Sequence, residues 1–184
     1  MEGGRIRLKM TEEISEQALS AWDEIVRLWH AYVNARYDLH RNHRPELAAL
    51  VYRALDSPED GALAFEVAEG LTIEEKQSLL PTLLALCSSG RYAHKAGEMI
   101  YRLPREWLLE NIEAAAEQTL KHNDYLDWAN ILALFGRIEP NLARRLARRA
   151  SHHADPEIKE CGEEYLAEHG DNDAPNNGVS PTPR

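Results

Sequence analysis

The chain has 184 residues, a mass of 20.9 kDa and a formal net charge of −10 at pH 7. This length suits one domain with its own hydrophobic core. The chain is rich in Ala, Leu and Glu and poor in Val, Ile and Thr, a composition that favours helix over strand. It has only two cysteines, Cys87 and Cys161, with no Cys-x-x-Cys spacing, so it predicts neither a disulfide framework nor a zinc ribbon.

The termini and the apolar runs bear on where the protein works. The longest apolar run, residues 79–87, is far too short to cross a bilayer, and residues 1–7 lack the apolar stretch of a signal peptide. We therefore expect a cytoplasmic protein. Residues 1–10 are predicted to be flexible, and residues 170–184, rich in Pro, Asn and Asp, to be a disordered tail. The folded domain is expected to span residues 11–169.

Two helices are predicted in the first third of the chain. Apolar residues at helical spacing favour a helix over residues 15–39, with Trp22 and Trp29 on its apolar face. After a polar break at residues 41–44, a second helix is predicted to open at Pro45 and to end at residues 56–58. The aromatic residues expected to be buried in the core are Trp22, Trp29, Phe65, Trp107, Trp128 and Phe135.

From residue 57 onward the predicted helices recur at regular intervals. Helices are predicted to begin near Ser57, Arg91, Asp124 and Asp155, at intervals of 34, 33 and 31 residues. Each of the first three is followed by a second helix, over residues 72–88, 105–121 and 140–152. Periods of this size are typical of stacked helical hairpins, in which each hairpin buries its apolar stripe against the next.

The segment between Asp155 and Leu166 resembles the second helix of a HEAT repeat. It has an Asp-Pro turn, an aliphatic Ile158, a basic Lys159, and the small residues Cys161 and Gly162. Ala96 and Gly97 resemble the same small pair in an earlier helix. This resemblance to the HEAT and armadillo family implies an all-α fold, a short right-handed α-solenoid of about nine helices. The predicted helix of residues 15–39 would cap one end.

Negative charge is concentrated on helices that occupy equivalent positions in this repeat. The segments 59–75 and 155–171 are almost purely acidic, and in the HEAT family such helices line the concave surface. The resemblance therefore implies a negative groove suited to a basic ligand, although a solvated acidic face is an equally good explanation. The predicted partner-binding residues are Glu59, Asp60, Glu66, Glu69, His94, Glu98, Tyr101, Arg102, Asp124, Asp127, Glu157, Glu160 and Glu164.

Two of these segments also have simpler explanations. Tyr101 and Arg102 belong to residue types that anchor protein interfaces, but local ion pairs on an exposed helix are the better explanation of the mixed charges of residues 94–102. Residues 144–149 include four arginines, a positive stripe that could contact nucleic acid. Because the rest of the surface is acidic, we expect these arginines to pair instead with Glu139, Asp155 and neighbouring acids.

No recognised catalytic, cofactor or metal-binding motif occurs in the sequence. It contains no phosphate-binding loop, and the pairs His40/His43 and His152/His153 lack the further ligands that a metal site needs. The hypothesis is therefore a non-enzymatic bacterial module, monomeric when free, that binds a basic protein and neither nucleic acid nor membrane. In size and charge it is similar to immunity proteins and antitoxins that occlude a toxin such as a nuclease.

Two alternatives remain open. The first is an enzyme similar to the HEAT-like DNA-base glycosylases or lyases, with Asp124 or Asp127 acting beside Tyr125 and Trp128. The second is a scaffold or adaptor with several weak clients. Binding to duplex DNA would favour the enzyme, and several partners of low affinity would favour the scaffold.

Overall fold

The computed structural model describes residues 14–122 and 124–170, and every regular element within them is helical. The prediction of an all-α chain is thus confirmed for these residues, which form ten α-helices where about nine were predicted. The chain divides into two compact units, Met1–Leu47 and Ala48–Arg184. The predicted flexible N-terminus and residues 171–184 of the predicted tail lie outside the described residues.

The first unit consists mainly of one long helix, α1 (Glu16–Asn42). It begins as predicted, with the Ser15 hydroxyl accepting a hydrogen bond from the Ala18 amide at 3.2 Å. It continues through residues 41 and 42 of the predicted polar break, because Arg and Asn can both be accommodated in a helix. The Asn42 side-chain amide also donates a hydrogen bond to the Asp38 carboxylate, one turn earlier. Pro45 does not open the next α-helix as predicted. It lies in a one-turn 3₁₀ helix, Arg44–Glu46.

The aromatic residues of α1 differ from their prediction. Trp22 and Trp29 were expected in the core, but they are 62% and 60% exposed, and no residue of α1 is buried. Periodicity revealed the apolar face of this helix, but it could not tell what covers that face. The other predicted core aromatics, which lie in the second unit, are buried at Phe65, Trp128 and Phe135 and half-buried at Trp107.

The second unit contains the remaining helices, from α2 at its boundary to the last described residues. They are α2 (Leu47–Asp56), α3 (Gly61–Ala68), α4 (Ile73–Ser78), α5 (Leu80–Ser88), α6 (Ala93–Tyr101), α7 (Arg105–Leu120), α8 (Tyr125–Ile138), α9 (Pro140–Ser151) and α10 (Pro156–His169). The predicted helix of residues 72–88 is two helices, because Pro81 cannot donate to the preceding turn and the chain bends at Leu79.

Local capping explains where the repeated helices begin. Asp124 and Asp155 accept backbone hydrogen bonds from the first turns of α8 and α10, and Thr72 and Glu75 form a reciprocal capping box at α4. The starts of α3, α6, α8 and α10 are separated by 32, 32 and 31 residues. These intervals are more regular than those predicted from the sequence.

The core of the second unit is built where α5, α8 and α9 meet their neighbours. Helix α5 packs against α6, α7 and α8, while α9 packs against α8 and α10. The largest completely buried side chains of this unit are Phe135, Leu55, Leu79, Leu80, Leu83, Leu84, Ile100, Ile112, Ile131, Leu142 and Ile158. Gly162 lets α10 approach α9 so closely that an added Cβ would lie 2.5 Å from the Ala147 carbonyl oxygen.

Ion pairs join residues about one repeat apart. Glu113 of α7 binds Arg145 of α9 at 3.0 Å, and Glu117 binds Arg149 at 2.5 Å; each pair is separated by 32 residues. These acids differ from the predicted partners of the arginine stripe. Glu139 pairs instead with Arg105, 34 residues earlier. The predicted pairing of these arginines within the protein is therefore correct for Arg145 and Arg149, but the helix that supplies the acids is α7.

Candidate functional site

The predicted acidic surface begins at α3, and there it is largely neutralised. Glu69 forms an ion pair with Arg102 of α6 at 2.6 Å, and Glu66 lies 3.6 Å from Lys95 of the same helix. The Lys76 ammonium also donates to the Glu69 carbonyl oxygen at 3.1 Å. These contacts link α6 to the α3 segment. The charges of Glu66 and Glu69 are therefore already paired within the protein.

Six of the predicted residues line two clefts beside α6. Glu66, Glu69, Glu98 and Arg102 line a cleft of about 210 Å³ over Phe65 and Met99. A second cleft of about 280 Å³ is lined in part by His94 and Tyr101, and Tyr101 is 44% exposed. Glu59 and Asp60 lie in the turn before α3, where both amides donate to the Ser57 hydroxyl at 3.3 Å.

Two predicted partner-binding residues, Asp124 and Asp127, lie at the start of α8. The Asp124 carboxylate accepts the Leu126 amide at 2.8 Å and so begins the helix, while Asp127 is half-buried. Neither acid lines the cavity beside Trp128. The glycosylase alternative therefore gains no support from this geometry.

The cavity beside Trp128 was not anticipated from the sequence. It has a volume of about 740 Å³, and its lining includes the cationic or titratable side chains Lys121, Arg148, Arg149, His152 and His153. The His153 Nδ1 atom accepts the Asp155 amide at 3.0 Å, which leaves the proton of the neutral ring on Nε2. Among the described residues of the lining, Glu117 alone is acidic, and it pairs with Arg149. This cavity suits an acidic group, and it is unsuitable for a basic partner.

The remaining predicted acids lie on α10, where they form a stripe along one exposed face. Glu157, Glu160 and Glu164 are exposed, and Glu168 continues the same face four residues later. No described cation forms an ion pair with any of these four residues, whereas the neighbouring Glu163 lies 3.7 Å from Lys159. We call Glu157, Glu160, Glu164 and Glu168 the α10 acidic stripe.

The α10 acidic stripe acts on a thiol beside it. Burial, and to a smaller degree the negative charge of Glu164, raises the pKa of Cys161. Burial alone raises the pKa of Cys87 to about 11, and the Cys87 Sγ lies 3.7 Å from the Ala93 carbonyl oxygen. Because only the thiolate reacts with disulfide reagents, both cysteines are less reactive than a free thiol at neutral pH.

We expect the Glu164→Gln variant to react faster at Cys161 than the wild type, by a few-fold at about pH 8. Removing the carboxylate lowers the pKa of Cys161 and so increases its thiolate fraction. The measurement is the rate of release of thionitrobenzoate from an aromatic disulfide reagent, in a Cys87→Ala background. Glu163→Gln is the matched control, because Glu163 is held by Lys159. Equal acceleration by both variants would contradict the assigned effect of Glu164.

The described residues offer no further site of recognised chemistry. Within residues 14–122 and 124–170, no three His, Cys, Asp or Glu side chains are grouped to hold a metal ion. None of the helices in these ranges combines the length and apolar character required to span a membrane. The chain matches no protein-family model, no curated protein and no solved structure.

Proposed function

We propose that the chain is a non-enzymatic protein-binding module whose α10 acidic stripe receives a basic protein. We further propose that the second unit is a short right-handed solenoid of HEAT-like hairpins. The intervals of 31 and 32 residues between helix starts support this architecture. So do the ion pairs between residues 32 to 34 positions apart, because equivalent positions of stacked hairpins are neighbours.

The observation that carries the functional proposal is that the stripe is unfavourable for the helix that bears it. Glu160 and Glu164, and again Glu164 and Glu168, are like charges four residues apart, and each such pair costs a few tenths of a kcal/mol. Glu168 also lies near the helix C-terminus, where the helix dipole disfavours an anion. Helix stability therefore does not explain Glu160, Glu164 and Glu168, whereas Glu157 lies in the first turn of α10, where the helix dipole favours an anion. A cationic partner would relieve both costs.

The stripe also differs from Glu66 and Glu69, two other acids predicted to bind the partner. Glu66 and Glu69 already have cationic neighbours on α6, so a partner would have to displace those contacts before using them. The α10 acids have no described cationic partner to displace. Acids of this kind favour rapid, salt-sensitive association, since they attract a basic surface over a distance of about one Debye length.

A narrower form of the proposal is that the protein is an immunity protein or antitoxin, which covers a basic toxin such as a nuclease. A nuclease must present cations to bind phosphates, and an acidic helix placed over those cations would block them. A scaffold or adaptor would use the same stripe differently, with several clients of low affinity in place of one tight partner. The number of partners and the strength of their binding separate the two.

The test compares two charge reversals that change the net charge equally. We expect Glu164→Lys to weaken binding of the basic partner by at least about tenfold, equivalent to about 1.4 kcal/mol. The same change should not destabilise α10, because the new lysine has Glu160 and Glu168 as neighbours four residues away. The partner would be captured from the source cells at about 50 mM salt, purified, and titrated by calorimetry at increasing salt.

The control is Glu110→Lys on α7, where an exposed glutamate lies outside the predicted surface. It should leave the partner's affinity within about twofold of wild type. If both reversals weaken binding equally, then net charge and not the stripe decides recognition. A partner whose affinity is unchanged between low and high salt would refute the electrostatic proposal.

A further inference from the structure

Helix α1 presents an apolar stripe that the described residues of its unit, 14–47, leave exposed. Its residues are Leu19, Trp22, Val26, Trp29 and Val33, which are 49%, 62%, 37%, 60% and 38% exposed. The other described element of this unit is a single 3₁₀ turn. Two exposed tryptophans on one helix face are unusual, because aromatic residues contribute most when they are buried. We therefore expect another surface to bury this stripe.

The spacing of the stripe indicates what kind of surface fits it. Its members alternate at intervals of three and four residues, a mean of 3.5, which is the period of the seam between two helices. The stripe covers about two heptads, or roughly 21 Å of a helix that is about 40 Å long. A second helix of similar length would cover it. From Trp22 to Val33, tryptophan and valine alternate along the stripe.

The charges of α1 indicate which helix this is. The N-terminal part, up to Val26, carries three acids, Glu16, Asp23 and Glu24, and no lysine or arginine. The part after Val26 carries three arginines and one acid, Asp38. A copy of α1 in antiparallel orientation would place each acidic half beside a basic half. A parallel copy would align like charges, which is unfavourable.

We propose that α1 pairs in antiparallel orientation with α1 of a second copy, so that the chain forms a two-fold symmetric dimer. An alignment centred between Arg27 and Leu28 places Trp22 of each helix opposite Val33 of the other, and Val26 opposite Trp29. Each tryptophan then packs against a valine. The sequence alone led us to expect a monomer when the protein is free of its partner.

Two other occupants of the stripe are outcomes of the test. Residues 48–170 of the same chain could cover it, and the protein would then be monomeric. A lipid surface could also cover it, but surface-bound helices usually carry Lys and Arg along the polar face. The acidic N-terminal half of α1 does not fit an anionic membrane, which is why the second copy is the better occupant.

Sedimentation equilibrium of the full chain tests the dimer. We expect the apparent mass to rise with concentration from 20.9 kDa toward twice that value, over about 1–100 µM. The double variant Val26→Glu/Val33→Glu should raise the dimer dissociation constant by at least about 100-fold, because it places carboxylates in an apolar seam. Leu28→Glu is the matched control. Leu28 is on the same helix and 52% exposed, but it lies off the stripe. The dimer dissociation constant of Leu28→Glu should therefore equal that of the wild type.

Charge reversal tests the orientation. The variant Glu16→Lys/Asp23→Lys/Glu24→Lys should dimerise less than wild type, and so should Arg27→Glu/Arg36→Glu/Arg41→Glu. An equimolar mixture of the two should form heterodimers. In a parallel pair, the first variant would replace repulsion between the acids of the two helices with repulsion between the new lysines. Its dimer dissociation constant would then not rise. Circular dichroism of each variant establishes that α1 remains helical.

Three results would overturn the proposal. The first is a monomer at about 100 µM. The second is a dimer that Val26→Glu/Val33→Glu leaves intact. The third is a monomer that floats with vesicles of phosphatidylcholine and phosphatidylserine, which would assign the stripe to lipid. None of these results depends on the α10 acidic stripe, so failure here leaves the proposed binding function to its own test.

Discussion

Replacing Gly162 by alanine is expected to lower the free energy of unfolding by about 3 kcal/mol. The new Cβ would lie 2.5 Å from both the Ala147 carbonyl oxygen and the Ser151 nitrogen, and 2.7 Å from the Ala150 Cβ. Two of these atoms belong to the backbone of α9, which cannot rotate away as a side chain can. Either α10 moves outward or α9 bends, and both lose packing in the core.

A second glycine provides the control for this prediction. An added Cβ at Gly97 of α6 would meet only side-chain atoms of Tyr101 and Leu134, at 3.8 and 4.0 Å, which are ordinary contact distances. Alanine there should be neutral or stabilising by up to about 1 kcal/mol, because it is the better helix former. Urea unfolding of both variants measures the difference. Equal unfolding midpoints would show that α9 and α10 are not held at this distance.

The contrast between the two glycines also bears on the HEAT resemblance. Both were matched to the small residues that let neighbouring helices approach closely. Of these two glycines, Gly162 lies at such an approach, whereas Gly97 has room for a methyl group. If α10 is displaced by Gly162→Ala, the α10 acidic stripe moves with it. The variant should therefore weaken partner binding even though it removes no charge.

Local signals made the helices predictable. Asp124, Asp155 and Thr72 cap their helices through contacts within three residues, and such contacts depend on nearby sequence alone. Pro140 likewise predicted the start of α9, since proline is favoured in the first turn of a helix. The bend at Leu79 was not predicted, because a proline within a helical pattern can either kink one continuous helix or start a new one. The structure shows that Pro81 lies in the first turn of a new helix, α5.

Pairing between helices was less predictable than the helices themselves. The sequence indicated that Glu69 and Arg102 were exposed and charged, but not that they meet, because 33 residues separate them. The partners of Arg145 and Arg149 were sought in nearby acids, whereas they lie one repeat earlier on α7. Once the interval of 32 residues is known, these partners can be read from the sequence.

Replacing Phe135 by alanine is expected to cost about 3–5 kcal/mol, the largest effect of any single change considered for the second unit. Phe135 is 1% exposed and lies on α8, which packs against α5, α7, α9 and α10. Truncation removes a ring that is almost completely buried, from a helix that has neighbours on several sides. Because helices on several sides are held by their own contacts, the cavity cannot close by moving one of them.

Leu126→Ala is the control for this cavity, because Leu126 lies on the same helix but is 61% exposed. Its cost should be below about 0.5 kcal/mol. Phe135→Leu keeps most of the volume and should cost less than about 1.5 kcal/mol, so it remains folded enough for a binding measurement. In that variant the affinity for the basic partner should equal that of wild type once corrected for the folded fraction, because Phe135 acts only through the packing that supports α10. A specific loss of affinity in Phe135→Leu would instead show that the packing around α8 sets the position of the recognition surface.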